Sequence, residues 1–156
     1  MAGYSRKTLA AKLGLAALNG GARGVAVGAP ESLVRQVRAE CPGTSLESVA
    51  SLSKISRMRA AAFLWCFCSL EKDLQEALPV LRNALAEDGM IWISWPKKTS
   101  WKLLGLNPSG AITEDAIRRH AFPHGLVDVK VCAVDEIWSG LKLMVRRENR
   151  KAVKAM

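Results

Sequence analysis

The sequence is short of acids, of histidine and of long apolar runs. It carries 14 aspartates and glutamates against 23 lysines and arginines, with two histidines and one tyrosine. No charge-free stretch exceeds eleven residues, the length from Ala60 to Leu70, which is too short to span a bilayer. His120 and His124 are separated from a common helical face by Pro123, so no metal site is expected. No Gly-x-Ser-x-Gly turn is present, which removes the usual serine-hydrolase elbow. The four cysteines (Cys41, Cys66, Cys68 and Cys132) form no Cys-x-x-Cys pair. They read as small buried hydrophobes in a reducing compartment, which points to the cytoplasm.

What is present is the composition of a folded chain. Its 156 residues are 49% hydrophobic and 24% charged, enough for one real core and too few for two. The expected organisation is a single domain over 1–156, with an N-terminal helical segment (1–21), an α/β core (22–147) and a basic tail (148–156). The first thirty residues hold no acid and carry Arg6, Lys7, Lys12 and Arg23, faintly like a transit peptide. The preferred reading is a short helix capped by Ser5, with Leu9 and Leu13 on one face and a stop at Asn19-Gly20-Gly21.

Beyond Gly21 the periodicities alternate. Gly24–Gly28 reads as a buried strand, followed by a helix with Pro30 in its first turn and Leu33, Val34 and Val37 on its apolar face. Leu46–Ala50 is a weak strand, and Ser51–Arg59 has no clear period. Ala61–Cys68 is apolar throughout, as a strand covered on both faces should be. Ser69 is the expected N-cap of a helix striped by Leu70, Leu74, Leu78, Leu81 and Leu85, which Pro79 should kink or split and Asp88-Gly89 should end. Met90–Trp95 is a buried strand, 96–112 a long loop, and Thr113 caps a further helix. Val127–Val134 and Leu141–Val145 are the last strands. The six residues between them are too few for a parallel crossover, so they should pair antiparallel.

The second half resembles the end of a class I methyltransferase-like Rossmann domain. The residues that carry this are the strand Phe63–Cys68, the helix from Ser69, the run Leu85–Ser94, the helix from Thr113 and the hairpin around Asp135-Glu136. Most of the chain is also similar to a family of small bacterial proteins known only as a domain of unknown function, Rossmann-like in fold. That similarity rests on Met1–Ser5, Leu9–Leu15, Val25–Glu31, Ser94–Lys98, Gly125–Glu136 and Trp138–Asn149. The resemblance implies a three-layer α/β fold with a mainly parallel sheet and an antiparallel C-terminal hairpin strand, reduced in the region 41–60. It implies no reaction.

Methyltransferases of this fold hold S-adenosylmethionine on a glycine-rich turn after the first strand, with an acid there and another at the end of the second strand. Here the turn is Val27-Gly28-Ala29-Pro30-Glu31, with one glycine and no preceding acid, and the second strand ends at Ala50-Ser51. No cofactor is therefore expected. Ligands of open α/β sheets sit beyond the carboxyl ends of the strands. Those ends should gather Gly28, Ser69, Trp95, Lys97, Lys98, Asp135, Glu136 and Trp138 into a candidate pocket, with Trp95 partly exposed as a flat wall. Lys97 or Lys98 would contact an anion, and Asp135 would serve as a base or acceptor. No catalytic residue is assigned.

Charge is uneven: +6 over residues 1–60, −2 over 61–139 and +5 over 140–156. The tail fits nonspecific contact with nucleic acid, or simple solvation. The leading reading is a domain that binds an unidentified small molecule or does no chemistry, off the membrane and without a competent S-adenosylmethionine site. A divergent methyltransferase and a basic nucleic-acid adaptor are the alternatives.

Overall fold

The computed structural model describes residues 7–15 and 22–149. Six strands form one sheet in the order β2-β1-β3-β4-β6-β5. They are β1 (Arg23–Val27), β2 (Ser45–Val49), β3 (Ala61–Phe67), β4 (Leu85–Pro96), β5 (Leu126–Ala133) and β6 (Trp138–Val145). β2, β1, β3 and β4 run parallel, while β6 is antiparallel to both β4 and β5. Alternation along the central strands splits the core in two. Val25, Leu64, Ile91 and Leu141 face the layer of α3 (Glu71–Ala84) and α5 (Glu114–Ala121). Ala26, Trp65 and Trp92 face α1 (Leu9–Lys12) and α2 (Glu31–Glu40). The architecture is thus the expected three-layer α/β sandwich with an antiparallel hairpin strand.

Several local expectations need correction. Ser69 does not cap α3. The N-cap is Leu70, which makes no side-chain cap bond. Leu70 bridges Ala111 and stays extended, so the helix starts one residue later than a serine cap would set. Pro79 does not split α3, which runs unbroken from Glu71 to Ala84. Pro79 lies on the exposed side, as does Gln75, whose carbonyl receives no N–H from Pro79 and is on the side open to solvent. Leu74, Leu78 and Leu81, fully buried on the sheet, hold the helix together. The helix also ends before Asp88-Gly89: Leu85 is already extended and opens β4.

Residues 51–59 hold only a short 3₁₀ turn, Leu52–Ile55, between β2 and β3. That is the reduction anticipated for 41–60, and it leaves β2 as a sheet edge. The segment after β4 contains Lys98–Ser100, α4 (Trp101–Leu104) and Pro108–Gly110 as single helical turns, not plain loop. Thr113 caps α5, accepting from the Ala116 amide at 3.2 Å. α1 is capped by Thr8. Ser5 and Asn19–Gly21 lie outside the described residues. Among the described residues, no helix is long and apolar enough to cross a membrane.

Candidate functional site

β1 and β2 pair in parallel register, Val27 beside Val49, so both carboxyl ends stop at one level. The Gly28 amide donates to the Val49 carbonyl at 2.9 Å and ties the turn after β1 to the end of β2. Gly28 has φ +68, a conformation most L-residues avoid. A Cβ there would meet only the Phe67 carbonyl oxygen within 4 Å, at 3.8 Å, so the turn is open above. Beside it lies a cleft of about 650 Å³. Gly28, Ala29 and Glu31 form one end, Val34 and Arg38 the α2 wall, and Ser48, Val49 and Ala50 the β2 wall. That volume suits a ligand of nucleoside size.

The charged groups of the cleft are partly engaged. Glu31 pairs with Arg35 at 2.8 Å. Arg38 donates from Nε and Nη2 to the Leu46 carbonyl, at 3.1 and 2.8 Å. Neither the end of β1 nor the end of β2 offers a carboxylate to a ligand's hydroxyls or ammonium group. A second cleft of about 500 Å³ lies at the start of β3 and β4, beside the Arg82–Glu87 ion pair at 3.3 Å.

The sequence-predicted residues divide between two faces and one turn. Gly28 lines the larger cleft. Ser69 follows β3 and is half-buried. Trp95 is only 7% exposed and packs in the α3/α5 core, which corrects the expectation of a partly open indole. Trp138 lies on the other face, its ring 5.0 Å from Phe67, which in turn is 4.9 Å from Trp65. Asp135 accepts the amides of Ile137 and Trp138 at 2.8 and 2.7 Å, so its carboxylate closes the hairpin turn. Lys97 is joined to that hairpin through its amide, 2.8 Å from the Ile137 carbonyl. Lys98 and Glu136 are exposed. Neither cleft is lined by Trp95, Lys97, Lys98 or Asp135.

Sequence reasoning missed Val34, Arg38, Ser48 and Val49. The signal that would have found them is the β1–β2 register, which no single strand reveals. It also missed Glu71 and His120, 2.6 Å apart between α3 and α5. The His120 hydrogen bond holds the Glu71 carboxyl below its usual range, with the charges of His120 and Arg119 adding to it. Cys66 and Cys68 share a face, their sulfurs 3.8 Å apart and unbridged. The hydrogen bond with Cys66 and burial both push the Cys68 thiol upward. Among the described residues no group of three or more His, Cys, Asp or Glu side chains could hold a metal ion.

The fold is similar to that of solved structures. The TehB-like S-adenosylmethionine-dependent methyltransferase from Corynebacterium glutamicum superposes with a TM-score of 0.54 at 14% identity, over 93% of this chain and 91% of that one. The chain has a methyltransferase-like Rossmann fold. The mitomycin 7-O-methyltransferase MmcR gives a TM-score of 0.60 at 15% identity, over 87% of this chain and 53% of its own. LepI in complex with S-adenosylmethionine gives 0.54 at 15%, over 80% of this chain. The chain spans 43% of LepI, so it matches one part of that larger protein. No protein-family model and no curated protein matches the sequence.

Proposed function

We propose that the chain is a divergent methyltransferase-fold protein that takes S-adenosylmethionine, or the demethylated S-adenosylhomocysteine, into the β1–β2 cleft. The observation that carries this reading is the cleft itself. It sits at the carboxyl ends of two adjacent parallel strands, beside the one glycine of the β1 turn, which has positive φ and open space above it. Ligands of open α/β sheets bind beyond such strand ends. The backbone of Gly28 and Ala29 would approach the ligand closely. Ser48 and the β2 end would meet its hydroxyls, and Val34 its apolar surface. Bound there, the cofactor supplies an electrophilic methyl group on sulfur. The chain's own part is to orient an acceptor against it, since alignment is a large share of such a barrier.

The missing carboxylates set the affinity. Each hydrogen bond to a charged group is worth roughly 1.5–3 kcal/mol, so a site lacking two of them falls from micromolar toward millimolar. Calorimetry should give saturable binding with Kd of about 0.1–1 mM. Ala50 is exposed and lines the cleft, so Ala50→Trp should abolish binding without changing Tm. Absence of saturation at several millimolar, or binding indifferent to Ala50→Trp, would refute the reading. The lack of acids at both strand ends favours a second reading, a binding domain for some other small molecule. The four unbridged cysteines support a cytoplasmic setting for either, in keeping with the small bacterial family it resembles. The basic tail's residues from Arg150 onward lie outside the described ones.

A further inference from the structure

We propose that the segment 97–106, at the carboxyl edge of the sheet, docks the protein onto an anionic lipid surface. Leu103 is 78% exposed, the highest value among the large hydrophobic residues described, and its neighbour Leu104 is 41% exposed. Both sit on α4, a single turn standing off the end of β4. That turn is firmly built. The indole of Trp101 donates to the Pro96 carbonyl at 3.1 Å, and the Leu106 amide donates to the Trp101 carbonyl at 2.9 Å. Gly105, at φ +70, reverses the chain behind the leucines. The two side chains are therefore presented by a fixed scaffold and cover no part of the core.

The charges within the segment have one sign. Lys97, Lys98 and Lys102 flank the leucines, and no acid occurs from Lys97 to Thr113. Lys98 and Lys102 are exposed. On the adjoining hairpin Asp135 is occupied by its own turn and Glu136 is exposed, while beyond the segment Glu114 and Asp115 open α5 and pair with Arg118. Apolar residues with basic flanks partition into the headgroup region of anionic membranes, where each adds to the other. The shape favours lipid over other acidic partners. Two exposed leucines on a single turn can enter a soft apolar phase directly, whereas a protein partner needs a matching pocket. A nucleic acid would gain nothing from exposed leucine.

The test is co-sedimentation of the full chain with vesicles of phosphatidylcholine alone and of phosphatidylcholine with about one-third phosphatidylserine. Binding to the anionic vesicles should be at least about tenfold stronger and should collapse at roughly 0.5 M salt. Leu103→Ser with Leu104→Ser should weaken it about tenfold or more, because the apolar insertion is lost. Lys98→Gln with Lys102→Gln should weaken it by a similar factor. Both pairs lie on the surface, and unchanged thermal unfolding should accompany each. The proposal fails if the leucine variant binds as the parent does, which would transfer the binding to the basic tail. It fails equally if neutral vesicles bind as well as anionic ones or if neither binds. A dimer in sedimentation equilibrium that the leucine variant dissolves would overturn it in favour of a self-contact. None of these outcomes depends on S-adenosylmethionine binding, so the two proposals stand or fall separately.

Discussion

Ser94→Ala should destabilise the fold by far more than the loss of one oxygen atom suggests. Ser94 and Trp65 are both fully buried, and the Trp65 indole N–H donates to the Ser94 hydroxyl at 2.8 Å. Removing the hydroxyl strands an N–H in a region without solvent. An unsatisfied buried donor costs about 1–3 kcal/mol, while the alanine that replaces the serine adds little strain. For a domain of this size each kcal/mol lowers Tm by roughly 2–4 °C, so the expected loss lies between about 2 and 12 °C. Urea unfolding followed by tryptophan fluorescence measures it, with the midpoint falling and the slope unchanged. The diagnostic comparison is the double variant with Trp65→Phe. Once the indole N–H is gone, the serine has no donor to satisfy, so Ser94→Ala in that background should cost at least about 1 kcal/mol less. If Ser94→Ala shifts stability by less than about 0.5 kcal/mol, or costs the same in both backgrounds, the indole is satisfied in some other way.

Three further outcomes follow from other parts of the structure. A Cβ on Gly89 would stand 2.8 Å from the Ala61 carbonyl oxygen and 2.8 Å from a Leu85 methyl, so Gly89→Ala should destabilise by roughly 2 kcal/mol or more in denaturant unfolding. Glu71 titrates below its ordinary value because of His120, so the pair's contribution is fully present above the unfolded glutamate pKa. It is lost as pH falls through the lowered folded one. The slope of stability against pH in the acid range should flatten in Glu71→Gln, and an unaltered slope would discount the pair. Native protein should react with a thiol reagent only at the partly exposed Cys41 and Cys132, with Cys66 and Cys68 reacting after denaturation. Prompt reaction of all four would contradict the packing.

The layering was legible because it depends on period alone. Apolar runs such as Ala61–Cys68 and Met90–Trp95 have to be covered on both faces, and helices between them supply the cover. The antiparallel hairpin was legible from the shortness of its connection. The α3 start was not, because a serine beside a leucine stripe looks like a cap, while the Leu70–Ala111 bridge that overrides it joins residues forty-one positions apart. Pro79, expected to kink or split α3, does not split it: its penalty depends on whether Gln75 faces water, which only the packed helix decides. At the site, strand ends could be placed on one edge, yet which face each side chain took could not. Trp95 and Trp138 come from adjacent strands and point to opposite cores, and a turn amide claimed Asp135. The cleft at β1 and β2 was divided between two segments that gave no joint signal.

The indole of Trp92 donates to the Leu13 carbonyl at 2.9 Å, joining residues 79 positions apart. During synthesis the Leu13 segment leaves the ribosome before Trp92 and waits for that partner. At about 5–20 residues per second the interval is roughly 4–16 s, long compared with the microseconds in which a short helix forms and melts. Leu9, Leu13 and Leu15, buried at 4%, 0% and 0% once the sheet is complete, spend that time without their native cover. The nascent chain thus passes through a stage at which this apolar turn is open to chaperones until β4 arrives to cover it.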